Sequence, residues 1–244
     1  MRPPQAPVPP LLRPLSTGEI IGGAFGLLRD HLAVLVVIAF LPQAAILLVE
    51  LGLRGVALGP DVRLWVFLLI TVVINAVGVY AGTVAVSRAV LGQTPGVAES
   101  YALAFRGHLP AVVAAYTLRA LMISVGTMLM FVPGVILGGY LAPALPLIVL
   151  ERQRPIQGIV SSFRAMSENL WQGIGVFAFE LLVSGLAPLT LHLVLGFGPL
   201  TPLLNAVIGA VVMPLAYGAN TLLYLSLRSG AGMTAAELEA GLRP

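Results

Sequence analysis

Between Glu180 and Arg228 lie 47 consecutive residues without a formal charge. A water-exposed chain does not carry such a run, whereas a bilayer core of about 30 Å takes roughly 20 apolar helical residues per crossing. The run is therefore two spans. Arg63 and Arg88 enclose 24 uncharged residues, and His31 and Glu50 enclose 18 with Pro42 among them as a potential kink, which makes one span each. Residues 109–150 hold one charge, Arg119, in 42 positions. A single helix of that length would reach about 63 Å, so this stretch is also two spans. The turns fall at Val132-Pro133-Gly134 and Leu195-Gly196-Phe197-Gly198-Pro199, where Pro and Gly break the pattern. Six transmembrane helices are expected, at residues 32–52, 64–88, 109–131, 134–150, 170–194 and 199–227.

Composition excludes whole classes of chemistry. The chain is 58% hydrophobic and 9% charged with a mean hydropathy of +0.99, against about 25% charged in soluble domains. All 13 cationic side chains are arginines. Without lysine there is no Schiff-base or P-loop chemistry, and without cysteine there are no thiol nucleophiles, thiolate metal sites or disulfides. A net charge of +3 over 244 residues makes no basic patch, so nucleic acid is not an expected partner.

The arginines report topology instead. Arg2, Arg13, Arg29, Arg88, Arg106, Arg152, Arg154, Arg164, Arg228 and Arg243 fall on one side of a six-span chain, and Arg54 and Arg63 on the other. By the positive-inside rule both termini are cytoplasmic. Residues 1–14 contain six prolines and no long apolar run. They read as a disordered cytoplasmic tail without a signal peptide, followed by a membrane domain at 15–228 and a cytoplasmic tail at 229–244.

Each odd-numbered span follows a short amphipathic stretch. Ser16-Thr17-Gly18-Glu19 has the form of a capping box, with Ile20, Ile21, Ala24, Phe25 and Leu28 on one face. The second opens with Thr94-Pro95 and sets Val97, Tyr101, Ala104 and Phe105 on one face; the third opens at Pro155 with Ile156, Ile159, Val160 and Phe163. They end alike, in Arg29-Asp30-His31-Leu32, Arg106-Gly107-His108-Leu109 and Ser167-Glu168-Asn169-Leu170. The fold class is all-α and polytopic: three repeats of interfacial amphipathic helix plus transmembrane hairpin. Packing of the same helices onto the bundle would need the same pattern. Repeats of this kind occur in transporters and in passive scaffolds alike.

The chain resembles the bacterial membrane domain found at the N-terminus of some glycerophosphodiester phosphodiesterases, and the related stand-alone YciC-like membrane proteins. The matching residues are Leu15-Ser16-Thr17-Gly18-Glu19-Ile20-Ile21 with Phe25, then Pro143 and Leu147-Ile148-Val149-Leu150-Glu151 running on to Ser162-Phe163, then Pro214 with Leu223-Tyr224-Leu225-Ser226-Leu227-Arg228. These motifs are topological rather than catalytic. The resemblance implies a fold and a location, the bacterial cytoplasmic (inner) membrane, and with Pro244 the last residue no catalytic barrel is expected.

A search for chemistry agrees. His31, His108 and His192 have no metal-ligand spacing or acidic cluster around them, and Ser184-Gly185 with His192 is a chance echo of an intramembrane serine protease. No enzyme, cofactor or metal is expected. Gly78 with Gly82, and Gly134 with Gly138, allow close helix approach, within the bundle or in a homodimer. Arg152, Arg154 and Arg228 are candidates for an anionic lipid headgroup. Asn75, His192, Asn205 and Asn220 form a mid-membrane polar set, either a source of interhelical hydrogen bonds or the lining of a cavity. Arg119 lies 11 residues after His108 and Glu180 lies 11 after Asn169. Equal depth on two parallel spans predicts a buried ion pair between them. The expected function is a non-enzymatic accessory or scaffold in envelope or lipid processes, with the lipid bilayer and a membrane protein or second copy as partners. The alternative is a transporter or lipid-handling protein with a polar intramembrane cavity.

Overall fold

The computed structural model describes residues 11–186, 189–190, 193 and 200–242. These residues are helical and contain no strand. In chain order the helices are α1 (Thr17–Asp30), α2 (Leu32–Arg54), α3 (Pro60–Val90), α4 (Val97–Arg106), α5 (Leu109–Leu129), α6 (Phe131–Leu141), α7 (Ala144–Glu151), α8 (Pro155–Met166), α9 (Leu170–Leu181), α10 (Thr201–Gly230) and α11 (Ala235–Gly241). A π-helical turn, Leu182–Leu186, continues α9.

Five segments are long and apolar enough to cross a membrane: α2, α3, α5, α6 with α7, and α10. A sixth exists if α8 and α9 with its π turn, bent by 116°, count as one broken span. The outward faces fit a bilayer. Leu48, Trp65, Leu69 and Met128 are all exposed, a distribution that would expose large apolar patches in water. The interior holds the second half of α3, most of α7 and α10.

Local chemistry explains the helix ends. Ser16 and Glu19 form the reciprocal capping box of α1. Pro60 and Pro155 occupy the first positions of α3 and α8, where a missing N–H costs nothing. The turn expected at residues 132–134 lies instead at Met130, whose backbone is extended (φ −165°, ψ 150°). Pro133 falls in the first turn of α6, so it starts that helix rather than interrupting it. Pro143, which cannot donate a backbone bond, separates α6 from α7. The second amphipathic helix begins at Val97 with Gly96 as its cap, not at Thr94-Pro95.

Two terminal segments differ from the expected tails. Residues 11–14 lie on the bundle with Leu12 buried. At the other end Thr234 and Glu237 make a second capping box, and α11 buries Leu238 and Leu242. The turn expected at Leu195-Gly196-Phe197-Gly198-Pro199 lies outside the described residues.

The short helices α1, α4 and α8 each bury one face and leave an apolar residue outside. Ile20 and Ala24, Ser100 and Ala104, and Gly158, Ile159 and Ser162 face inward, while Phe25, Phe105 and Ile156 remain exposed. Ser162 Oγ donates to Tyr140 O at 2.6 Å, and Tyr101 OH donates to Ile38 O at 2.7 Å. These helices are thus packed on the bundle and also present apolar side chains beyond it.

The glycine pairs are used inside the chain. A Cβ at Gly78 would meet Pro42 at 2.7 Å, and one at Gly82 would enter the Tyr217 ring. Gly134 adjoins the α5 backbone at Thr127, and Gly138 adjoins the Phe177 ring. Each lets a neighbouring element approach more closely than alanine would allow.

Candidate functional site

A polar cluster sits midway along the bundle. Arg119 Nη2 on α5 donates to Glu180 Oε2 on α9 at 2.8 Å. Asn220 Nδ2 on α10 donates to the same oxygen at 3.1 Å and to Ala216 O at 2.9 Å. The Arg119 guanidinium also lies over the Phe177 ring, 5.9 Å from its centroid. Arg119 is ten residues from the start of α5, Glu180 ten from the start of α9, and Asn220 ten from the end of α10. At 1.5 Å per residue all three lie about 15 Å from the same rim of the bundle.

The cluster borders a cavity of about 190 Å³. Its wall combines Asn75 and Thr83 from α3, Tyr116 and Arg119 from α5, Glu180 and Ser184 from α9 and its π turn, and Tyr217 and Asn220 from α10. The π turn begins two residues after Glu180 and carries Ser184. Such turns recur at functional sites, because the extra residue re-aims the helix. Three cavity-lining residues keep a buried polar atom without a partner: Arg119 Nε, Ser184 Oγ and Asn220 Oδ1. Leaving a buried donor or acceptor unmet costs about 1–3 kcal/mol.

Of the polar set read from the sequence, the structure brings Asn75 and Asn220 to this cavity. Asn75 Nδ2 is occupied by Thr71 O at 3.0 Å. Asn205 lies on α10 two turns beyond Met213, away from the wall, with Oδ1 buried and unpartnered. His192 lies outside the described residues. Tyr116, Thr83 and Tyr217 carry no mark in the sequence reading, and Ser184 appears there only in the chance echo of a serine protease, although helical spacing marks all four. Tyr116 precedes Arg119 by three, Ser184 follows Glu180 by four, Thr83 follows Asn75 by eight, and Tyr217 precedes Asn220 by three.

The three arginines read as a headgroup site do not converge. Arg228 is held by Glu151, with Nε to Oε1 and Nη2 to Oε2 both at 2.6 Å. Tyr224 OH also donates to Glu151 Oε1 at 3.1 Å, and Gln153 Nε2 to Oε2 at 2.8 Å. That carboxylate cancels the Arg228 charge in a fork geometry, and a phosphate would have to displace it. Arg152, a left-handed C-cap with φ 51°, lines a separate recess with Tyr80, Gly107 and Gly241. Arg154 is exposed and caps α8.

Among the described residues no group of three or more His, Cys, Asp or Glu could hold a metal ion. Compared with family models, with curated proteins and with solved structures, the chain matches none.

Proposed function

We propose that this chain is a non-enzymatic multi-pass protein of the bacterial cytoplasmic membrane that admits a small polar solute or a lipid headgroup to its central cavity, as a transporter or lipid-handling protein. The observation that carries this reading is the Arg119–Glu180–Asn220 cluster on the wall of a cavity beside which Arg119 Nε, Ser184 Oγ and Asn220 Oδ1 are buried without a partner. A salt bridge kept only for packing needs no void beside it. Burying two charges is a costly route to stability, and apolar residues of similar volume often serve as well. Charges beside a cavity at this depth are the pattern of a pathway or binding site.

The orientation rests on arginine distribution, with eight of the described arginines on the rim that holds α1, α4 and α8 (Arg13, Arg29, Arg88, Arg106, Arg152, Arg154, Arg164 and Arg228) against Arg54 and Arg63 at the far end. An accessory role remains a second reading, favoured by the α5–α6 tip, where Met128, Leu129, Met130, Phe131 and Val132 are all exposed.

The test exploits the absence of cysteine. Ser184→Cys becomes the sole thiol, and the cavity reading predicts that a small membrane-impermeant thiol reagent modifies it from one face of sealed vesicles. A thiol inert from both faces, in protein that is folded, defeats the reading.

A further inference from the structure

Building on the cavity reading, we propose that the occupant is a small zwitterion, carrying an ammonium and an anionic oxygen group, carboxylate or phosphate, a few atoms apart. The wall itself is a dipole. Arg119 and Glu180 are in contact and border the same space, so the lining carries both signs with no net charge. An anion entering alone gains Arg119 but meets Glu180, and a cation meets the reverse. A zwitterion aligned antiparallel to the pair satisfies both.

The unmet atoms, which lie sealed behind the cavity wall, match the same two halves once the wall opens to them. Arg119 Nε is a donor without an acceptor, which a carboxylate or phosphate oxygen supplies. Asn220 Oδ1 is an acceptor without a donor, which an ammonium supplies. The amide orientation is forced, because Nδ2 serves two acceptors, Glu180 Oε2 and Ala216 O; flipping it would set oxygen against both. Ser184 Oγ can serve either half. Tyr116 and Tyr217 add aromatic wall, the surface that ammonium groups prefer.

Size narrows the class further. A space of about 190 Å³ holds roughly six waters at about 30 Å³ each, which suits an amino acid or a phospholipid headgroup and not acyl chains. The ligand is therefore a free zwitterionic solute or the headgroup of a zwitterionic lipid.

The experiment uses full-length Ser184→Cys protein in nanodiscs of phosphatidylglycerol and follows the rate of thiol modification. Glycine and phosphoethanolamine are expected to slow it at least threefold, while acetate, ethylammonium and glycerol at equal concentration do not. A lipid source appears as protection in phosphatidylethanolamine nanodiscs without added solute, and a soluble source as protection by the free zwitterions alone; both support the class. In the same background, Glu180→Gln should turn the preference toward acetate and Arg119→Gln toward ethylammonium, each by about tenfold, a reversal that a purely structural pair would not produce. If either variant does not fold, the probe series on Ser184→Cys alone decides. Protection equal or stronger with acetate, ethylammonium or glycerol, or a reactive thiol that no probe protects, overturns the zwitterion and leaves an open cavity. An unreactive thiol overturns the cavity reading itself, and the zwitterion with it.

Discussion

Glu180 Oε2 receives both Arg119 and Asn220, so the two halves of the buried pair are not equivalent. Removing Arg119 leaves the carboxylate one hydrogen bond from Asn220. Removing Glu180 leaves a guanidinium with only the Phe177 face, and it also strips Asn220 of one of its two acceptors. Breaking one member of a buried pair costs about 3–5 kcal/mol, whereas an apolar pair of similar volume is tolerated. Glu180→Leu is therefore expected to lower folded yield and melting temperature more than Arg119→Leu, with the double variant recovering part of the loss. Thermal melts of the four proteins in one detergent make the double-mutant cycle, and strict additivity would show that the pair is not coupled. A second residue-scale effect sits outside the membrane, at Glu19. Hydrogen bonds from the Ser16 backbone and side chain and from Arg13 hold its carboxyl down at about 2. The folded-state value is depressed, so the cap contributes above the unfolded carboxyl range near 4.3 and is lost as pH falls through about 2. Amide exchange in the first turn of α1 should thus rise between those limits, and Ser16→Ala should weaken that dependence. The pair's common depth could be read in advance because both spans start at marked residues, His108 and Asn169. The Glu151–Arg228 bond could not, since its partners are 77 residues apart and neither repeats a pattern.

At the scale of the element, charge-free runs locate spans well and their breaks poorly. Sequence marks a break by Pro or Gly, but Pro133 is comfortable in a first helical turn, so the chain turns earlier, at Met130. Pro143 has the opposite effect and divides the fourth span into α6 and α7. The π turn after Leu181 leaves no compositional trace, because Leu182–Leu186 is as apolar as an α-helical span. By contrast, α11 was legible. Thr234-Ala235-Ala236-Glu237 is a capping box of the same form as Ser16–Glu19, and it opens a helix of seven residues. This small helix closes over α7. A Cβ at Gly241 would meet Leu150 O at 2.5 Å, and Leu238 is buried. Leu238→Asp places a carboxylate in an apolar site without a partner, and Thr234→Ala removes a cap worth about 1 kcal/mol. Both variants should release α11, Leu238→Asp the more completely, and speed tryptic cleavage at Arg228. Unchanged cleavage rates would mean that α11 contributes no protection to that rim.

For the whole molecule, parity decides how the chain threads the membrane. Leu15 N–H donates to Ser226 Oγ at 2.8 Å, and Gln172 Nε2 donates to Leu15 O. The start of α1, the start of α9 and the end of α10 therefore lie at one rim, joined there by the end of α7 through Glu151 and Arg228. An even number of crossings must separate any two of these points. Between Leu15 and Glu151 there are four, α2, α3, α5 and the α6–α7 segment. Between Gln172 and Ser226 only α10 satisfies the length test alone, which leaves an odd count unless the segment after α9 also crosses. Leu170–Leu186 holds 17 residues and covers about 25 Å as a helix, most of a 30 Å core before the next residues are counted. Parity thus predicts six crossings rather than five. With no native cysteine, the test is direct. In intact cells, Leu200→Cys and Val56→Cys, both exposed at the rim that holds Arg54 and Arg63, are expected to react with a membrane-impermeant maleimide. Ala231→Cys and Arg154→Cys should react only after the membrane is opened. Labelling of Leu200→Cys on the same side as Ala231→Cys would leave α9 a re-entrant helix and α10 no crossing. The central charges would then face a solvent-filled vestibule, and neither the common depth of Arg119, Glu180 and Asn220 nor the cavity they border could belong to a path through the bilayer.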